Sequence, residues 1–275
     1  MRKTIFALLL LLPASAFARD CDHSQDYDLS LDLDGVKAVV FDIGAHDLQL
    51  TAAPGADALV RGRACASSAE RLGKLDLTQR RVGDTLVVHA GSEGGSWEFN
   101  LFGKSHYARL TITASLPDTI PVRLDVGSGD ASVSGVGMLD ADVGSGDLRV
   151  SDVRGQFTLH VGSGDAAVRS VGALRIASIG SGDVTATRVR GAAHVGSIGS
   201  GDFDLAGAQG DVEIGSIGSG DVELDDVDGD VRIGSLGSGD IEVRNVRGDL
   251  VVRSSGSGGI GHSGVGGRID LPASD

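Results

Sequence analysis

From position 121 onward, apolar and polar residues follow one pattern that returns again and again. The tetrapeptide Gly-Ser-Gly-Asp begins at Gly127, Gly144, Gly162, Gly180, Gly199, Gly218 and Gly237, with a degenerate Gly-Ser-Gly-Gly at Gly256, at intervals of 17, 18, 18, 19, 19, 19 and 19. If the copy starting at Gly218 is numbered from place 1, apolar residues fall at places 5, 7, 10, 14, 16 and 19. Places 5 and 7, and again 14 and 16, alternate as a strand with one buried face does. The glycines at places 1, 3 and 12 mark bends. The columns hold from copy to copy. Place 10 reads Val136, Val153, Val171, Val189, Ala208, Val227, Val246 and Val265. Place 15, between two apolar places, carries Arg175, His194, Glu213 and Arg232, which belong in water.

This pattern predicts an all-β, single-stranded β-solenoid whose coils are 17 to 19 residues long. Glycine recurs too often for helices, and valine and isoleucine dominate the apolar places. A propeller blade needs about twice the length of this repeat. Coils stack ~4.8 Å apart, so eight of them make a rod of roughly 38 Å. A narrow interior explains why Phe157 and Phe203 are the only aromatic residues after position 121.

The N-terminal part reads as a worn continuation. In residues 41–62, Gly44 to Asp47 stands for the turn, with Leu48 and Leu50 near places 5 and 7, Gly55 near place 12 and Leu59 near place 14. Asp26 to Leu33, Val82 to Ala90 and Trp97 to Ala114 read as strands, and Ser67 to Leu75 as a short helix or turn. Trp97, Phe99, Phe102 and Tyr107, with Gly103 between them, suit an aromatic hairpin. A carbohydrate-binding platform is one reading of it. Closure of an exposed solenoid end is favoured, because unpaired edges invite aggregation. At the other end the repeat decays into a terminal cap: Gly259 replaces the aspartate, Ser255 and His262 enter apolar columns, and Pro272 stops pairing.

Charge and cysteines narrow the setting. The net charge of -14 argues against nucleic acid as a partner. No apolar run is long enough for a membrane span. Arg2 and Lys3, the apolar run Ile5 to Leu12 and the exit Ala16, Phe17, Ala18 form a secretory signal peptide. The expected division is thus 1–18 signal peptide, 19–120 β-rich N-terminal part with a degenerate coil and capping hairpin, and 121–275 repeat solenoid. Export favours a disulfide between Cys21 and Cys65 over two buried thiols. Zinc is disfavoured, since two cysteines do not fill a tetrahedron.

The Gly-Ser-Gly-Asp spacing, preceded by LTITASLPDTIPVRLDV and a signal peptide, resembles the bacterial putative adhesin family, the head-GIN-type and related β-strand repeat domains of unknown function, over roughly residues 36 to 271. The resemblance implies a right-handed single-stranded β-helix in an exported protein, and it brings no catalytic residues.

Stacking places Asp130, Asp147, Asp165, Asp183, Asp202, Asp221 and Asp240 in one file. Like charges ~4.8 Å apart repel by about 1 kcal/mol per adjacent pair even in water. One offset is backbone N–H groups of each glycine turn donating to the carboxylate. The alternative is calcium, a hard cation that takes several oxygen ligands. Acids repeating at one turn argue against a catalytic cluster, and no serine, histidine and acid set is recognisable. The sequence therefore points to a non-catalytic structural or interaction module without a cofactor, periplasmic, cell-surface or secreted, meeting a cell-surface, glycan or envelope partner. A calcium-dependent binder and, last, a carbohydrate-active enzyme are the competing classes.

Overall fold

The computed structural model describes residues 21–92 and 107–273. From Val184 to Ser255 each coil is two six-residue strands, as in Val222–Val227 and Val231–Leu236, whereas Leu148–Val161 and Ala166–Ile179 each run through their coil as one continuous strand. Strands at places 5–10 pair in parallel with their counterparts above and below, with Phe203, Val222 and Ile241 in register. Strands at places 14–19 build a second parallel stack, with Val212, Val231 and Leu250 in register. The six apolar places point inward: Val222, Leu224, Val227, Val231, Ile233 and Leu236 are at most 3% exposed. A single chain of apolar contacts therefore runs down the rod.

The step of three from place 7 to place 10 has a backbone cause. Place 9 is left-handed in coil after coil, with φ of 58° at Asp152, 58° at Ser170, 60° at Arg188, 56° at Asp226 and 53° at Asn245. Glycine takes the same place at Gly135, Gly207 and Gly264. One residue in this conformation inserts an extra step, bends the strand and returns place 10 to the core. It costs a non-glycine residue about 1–2 kcal/mol, which the buried valine that follows offsets.

The stack is longer than the Gly-Ser-Gly-Asp repeat, and its order is not the chain order. The first strands are β1 (His23–Ser30), β2 (Ala38–Gly44), β3 (Asp47–Ala53) and β4 (Leu59–Ala66). After helix α1 (Ala69–Leu72) come β5 (Leu75–Val82), β6 (Thr85–Ser92), β7 (Ala108–Pro117), β8 (Val122–Val126) and β9 (Ala131–Ser134). Strands β2 and β3 form a coil that pairs with β8 and β9, placing Leu48 against Ala131 and Leu50 against Val133. On its other side the same coil pairs in parallel with β6 and β7.

Leu59 departs from its expected place 14. It opens β4, which runs antiparallel to both β1 and β7. Alternation of apolar residues is the same in a parallel and an antiparallel strand, so the pattern alone assigned it to a coil. Gly55, with φ of 66°, turns the chain between β3 and β4 instead of marking a coil corner. The short helix lies within Ser67 to Leu75 as expected, with the Ser68 hydroxyl accepting from the Arg71 N–H.

Antiparallel strands close this end of the rod. Strand β5 pairs with β6, and β1 with β4. The Tyr27 hydroxyl donates to the Leu75 carbonyl at 2.7 Å, and the Gln79 amide donates to the Ser30 carbonyl at 3.0 Å. Leu75 and Leu77 are each 3% exposed and end the core. Trp97, Phe99, Phe102 and Gly103 lie outside the described residues. At the far end the burial fades: Ile260, Val265 and Leu271 are partly buried, His262 is exposed, and Ile269 is 44% exposed.

Candidate functional site: the carboxylate files

The turn at places 1 to 4 is shaped by close approach of successive coils. A Cβ at Gly164 would stand 1.9 Å from the Gly146 carbonyl oxygen, and one at Gly182 would stand 1.8 Å from that of Gly164. Gly201, Gly220 and Gly239 repeat the relationship at 1.8–1.9 Å. Place 3 is therefore glycine because the backbones cross with no room for a side chain.

This crossing brings the aspartates into line, and their carboxylates enter the backbone ladder. Oδ1 of Asp183 accepts the Asp202 N–H at 2.9 Å, Oδ1 of Asp202 accepts that of Asp221 at 2.8 Å, and Oδ1 of Asp221 accepts that of Asp240 at 2.8 Å. The same bond joins Asp130 to Asp147 at 3.1 Å and Asp165 to Asp183 at 3.0 Å. The file begins at Asp47, whose Oδ1 lies 3.4 Å from the Asp130 nitrogen, and ends where Gly259 donates to Asp240 at 2.8 Å. The donor thus sits in the next coil and not, as expected, in the aspartate's own glycine turn. The aspartate carbonyl faces the opposite way: that of Asp221 accepts from the Phe203 N–H of the preceding coil at 3.0 Å. Such charge-assisted bonds are worth about 1.5–3 kcal/mol, enough to offset the repulsion along the file.

A second file escaped the sequence reading. Asp211 Oδ1 accepts from Asp230 N–H at 2.9 Å, and Asp230 Oδ1 accepts from Asp249 N–H at 2.8 Å. Asp249 then holds Arg268, accepting its N–H at 2.8 Å on Oδ1 and its guanidinium at 3.0 Å on Oδ2. The Asp230 N–H and then Arg232 hold the Asp211 carboxyl below the usual range, and the Arg268 N–H and side chain do so for Asp249. The signal was Gly-Asp at places 12 and 13, at Gly210, Gly229 and Gly248.

Nearer the N-terminus, Asp42, Asp125 and Asp142 stand in register, flanked by His89 on one side and His160 on the other. His89 Nδ1 is 2.9 Å from Asp42 Oδ2, and His160 Nδ1 is 2.6 Å from the Ser178 hydroxyl. Burial, then Asp42 and Asp142, pushes the Asp125 carboxyl up. His46 is buried at the turn between β2 and β3, where its Nδ1 accepts the Leu110 N–H at 3.3 Å and desolvation lowers its pKa.

An acidic groove of about 660 Å³ runs beside the first file, lined by Asp202, Asp204, Asp221, Glu223, Asp240 and Glu242. Burial, then Asp202 and Asp183, holds the Asp204 carboxyl above its ordinary range. Among the described residues, no group of three or more histidine, cysteine or acidic side chains is arranged to hold a metal ion. None of their helices is long and apolar enough to cross a membrane.

Cys21 and Cys65 are bridged, their Cα atoms 5.5 Å apart, tying the start of β1 to β4. Tyr107 lies beside this bridge. Its hydroxyl accepts the Asp22 N–H at 3.1 Å, and its carbonyl accepts the Ser67 N–H at 2.9 Å.

The family model of Toastrack DUF4097 matches residues 36–260. No curated protein matches the chain. Among solved structures, a putative adhesin from Parabacteroides distasonis ATCC 8503 is 12% identical, the match covering 91% of this chain and 97% of that one with a TM-score of 0.43. A putative lipid binding protein from the same strain is 14% identical, covering 92% and 98% with a TM-score of 0.43. A putative adhesin from Parabacteroides merdae ATCC 43184 is 13% identical, covering 92% and 97% with a TM-score of 0.38. The matched span holds all seven complete Gly-Ser-Gly-Asp turns and the coil of β2 and β3, and the chain belongs to the Toastrack DUF4097 family.

Proposed function

We propose that this chain is a non-catalytic interaction module of the adhesin type, exported behind the signal peptide of residues 1–18 and presenting its flat β faces to a cell-surface, glycan or envelope partner. The observation that carries the reading is the use made of the acids. Along the main file every carboxylate but that of Asp147 accepts a backbone N–H of the next coil, so the most regular polar feature of the chain is spent on holding coils together. What is left for a partner is the outward side-chain lattice at places 6, 8 and 15, fixed in register by the ladders. The Cys21–Cys65 bridge supports an oxidising compartment.

The test is binding of the purified chain to immobilised envelope glycans and intact cell surfaces, with a panel of polysaccharides offered as substrates in parallel. Saturable binding without release of reducing ends is the expected result. Cleavage of any polysaccharide in the panel overturns the reading.

A further inference from the structure

Charge is segregated along the rod. Residues 149–190 carry six arginines against three aspartates, whereas residues 192–231 carry ten acids and no lysine or arginine. A basic belt therefore adjoins an acidic one in a chain whose net charge is -14.

The belts meet on the outer face of the strands at places 5–10. Register gives the layout, reading places 6 and 8 coil by coil. Arg149 and Ser151 come first, then Ala167 and Arg169, then Thr185 and Thr187. Asp204 and Ala206 follow, then Glu223 and Asp225. Arg149, Arg169, Thr185, Asp204 and Glu223 are exposed. Among the described residues, neither Arg169 nor Asp204 makes an ion pair, Arg149 reaches only its own turn, 3.8 Å from Asp147, and Glu223 pairs with Arg244 of the next coil, a pair that Arg149 of a second copy would join. Asp204 is already crowded by the carboxylates of Asp202 and Asp183.

Five consecutive coils thus read basic, basic, neutral, acidic, acidic. Such a series is complementary to its own reverse. We propose that two copies pair face to face through this surface, antiparallel, about a two-fold axis that lies along the strand direction at Thr185 and Thr187. That operation sets Arg149 opposite Glu223 of the second copy, and each threonine opposite itself. It also sets Ala167 opposite Asp204 of the second copy, and Arg169 opposite Ala206 of the second copy. Across the inner pairs size is matched, because each charged side chain there meets an alanine. Arg169 then lies diagonally between Asp204 and Asp225 of the second copy. An isologous contact of this kind closes on itself and does not propagate into fibres.

The area predicts a modest affinity. Five coils at ~4.8 Å and a strand ~20 Å long give about 480 Å² per copy, so the contact sits near the lower limit for a stable interface. Electrostatics then dominates it, and salt weakens it.

Sedimentation velocity of the purified chain tests this. A reversible dimer is expected at low ionic strength, its dissociation constant rising about tenfold or more between ~20 mM and ~500 mM salt. Arg149→Glu with Arg169→Glu makes the face wholly acidic, and Asp204→Lys with Glu223→Lys makes it basic but for Asp225. Each double variant is expected to sediment as a monomer with an unchanged melting temperature. Mixed one to one, the two are expected to form a heterodimer, a result that a misfolded variant does not give. A chain that remains monomeric at low salt overturns the proposal, as does a dimer indifferent to both double variants. The first outcome would leave the two arginines to an anionic ligand.

Discussion

Oδ1 of Asp221 accepts the backbone N–H of Asp240 at 2.8 Å, the residue in the same turn one coil later. A side chain here replaces a carbonyl in the inter-coil ladder, so its acceptor atom matters more than its charge. Asp221→Asn keeps an acceptor and removes repulsion along the file, and it is expected to be neutral or slightly stabilising. Asp221→Ala leaves that N–H to water, at a cost of about 1 kcal/mol. Urea denaturation of the two variants checks the order, and a larger loss in the asparagine variant would sink the account.

Calcium bears on the same carboxylates. With Oδ1 of Asp183, Asp202 and Asp221 committed to the ladder, millimolar calcium is expected to leave the melting temperature unchanged. A rise that saturates with calcium and disappears with chelator would assign the file to metal instead.

Close approach makes a sharper prediction. A Cβ at Gly201 would lie 1.9 Å from the Gly182 carbonyl oxygen, against backbone that cannot yield without parting the coils. Gly201→Ala is expected to cost about 3 kcal/mol or more, the overpacking regime. Gly55 has φ of 66° with nothing within 4 Å of a built Cβ, so Gly55→Ala is expected to lose only about 1 kcal/mol, from backbone strain. Melting temperatures of the pair separate crowding from strain.

Two groups of acids respond to pH in opposite directions. The Asp211 and Asp249 carboxyls are depressed, first by backbone N–H donors and then by arginines. Their contribution is present above the ordinary carboxylate value of ~3.9 and is lost as pH falls through their lower folded values. The Asp125 carboxyl is raised by burial and by Asp42 and Asp142. Its contribution is full below ~3.9 and is lost as pH rises through the higher folded value. Asp125→Asn is therefore expected to raise the melting temperature at neutral pH and to change it little at pH about 3. An equal gain at both pH values would show that charge is not the cause.

Reduction of the Cys21–Cys65 bridge releases the start of β1 and a closure spanning 44 positions, at an expected cost of about 3–4 kcal/mol by loop entropy. Hydrogen exchange with and without reductant checks where the loss falls. Protection should drop in β1 and β4 and persist at Val222–Leu236, where coils have neighbours on both sides.

Much of the rod was legible because the Gly-Ser-Gly-Asp turn fixes a phase for every apolar place, and Val222, Leu224 and Val227 are buried where that phase puts them. The left-handed place 9 was hidden by its occupants. Asp152, Ser170, Arg188, Asp226 and Asn245 share no chemistry, and only the irregular step from place 7 to 10 betrayed them. The second file was written as Gly-Asp at places 12 and 13, but Asp211, Asp230 and Asp249 occupy only the later coils. Leu59 was misplaced because strand direction leaves no mark on alternation. The trio of Asp42, Asp125 and Asp142 was beyond reach, since residues more than eighty positions apart meet only through the order of the stack.

That order has a consequence for how the molecule is made. The coil of β2 and β3 is synthesised first, yet both layers that flank it, β6 with β7 and β8 with β9, are encoded downstream. Its first flanking layer is complete only at Pro117, the end of β7, and its second only at Ser134, the end of β9. From there each new lap finds the previous one already in place, so growth is vectorial through the repeat while the beginning of the chain is assembled from the middle outward.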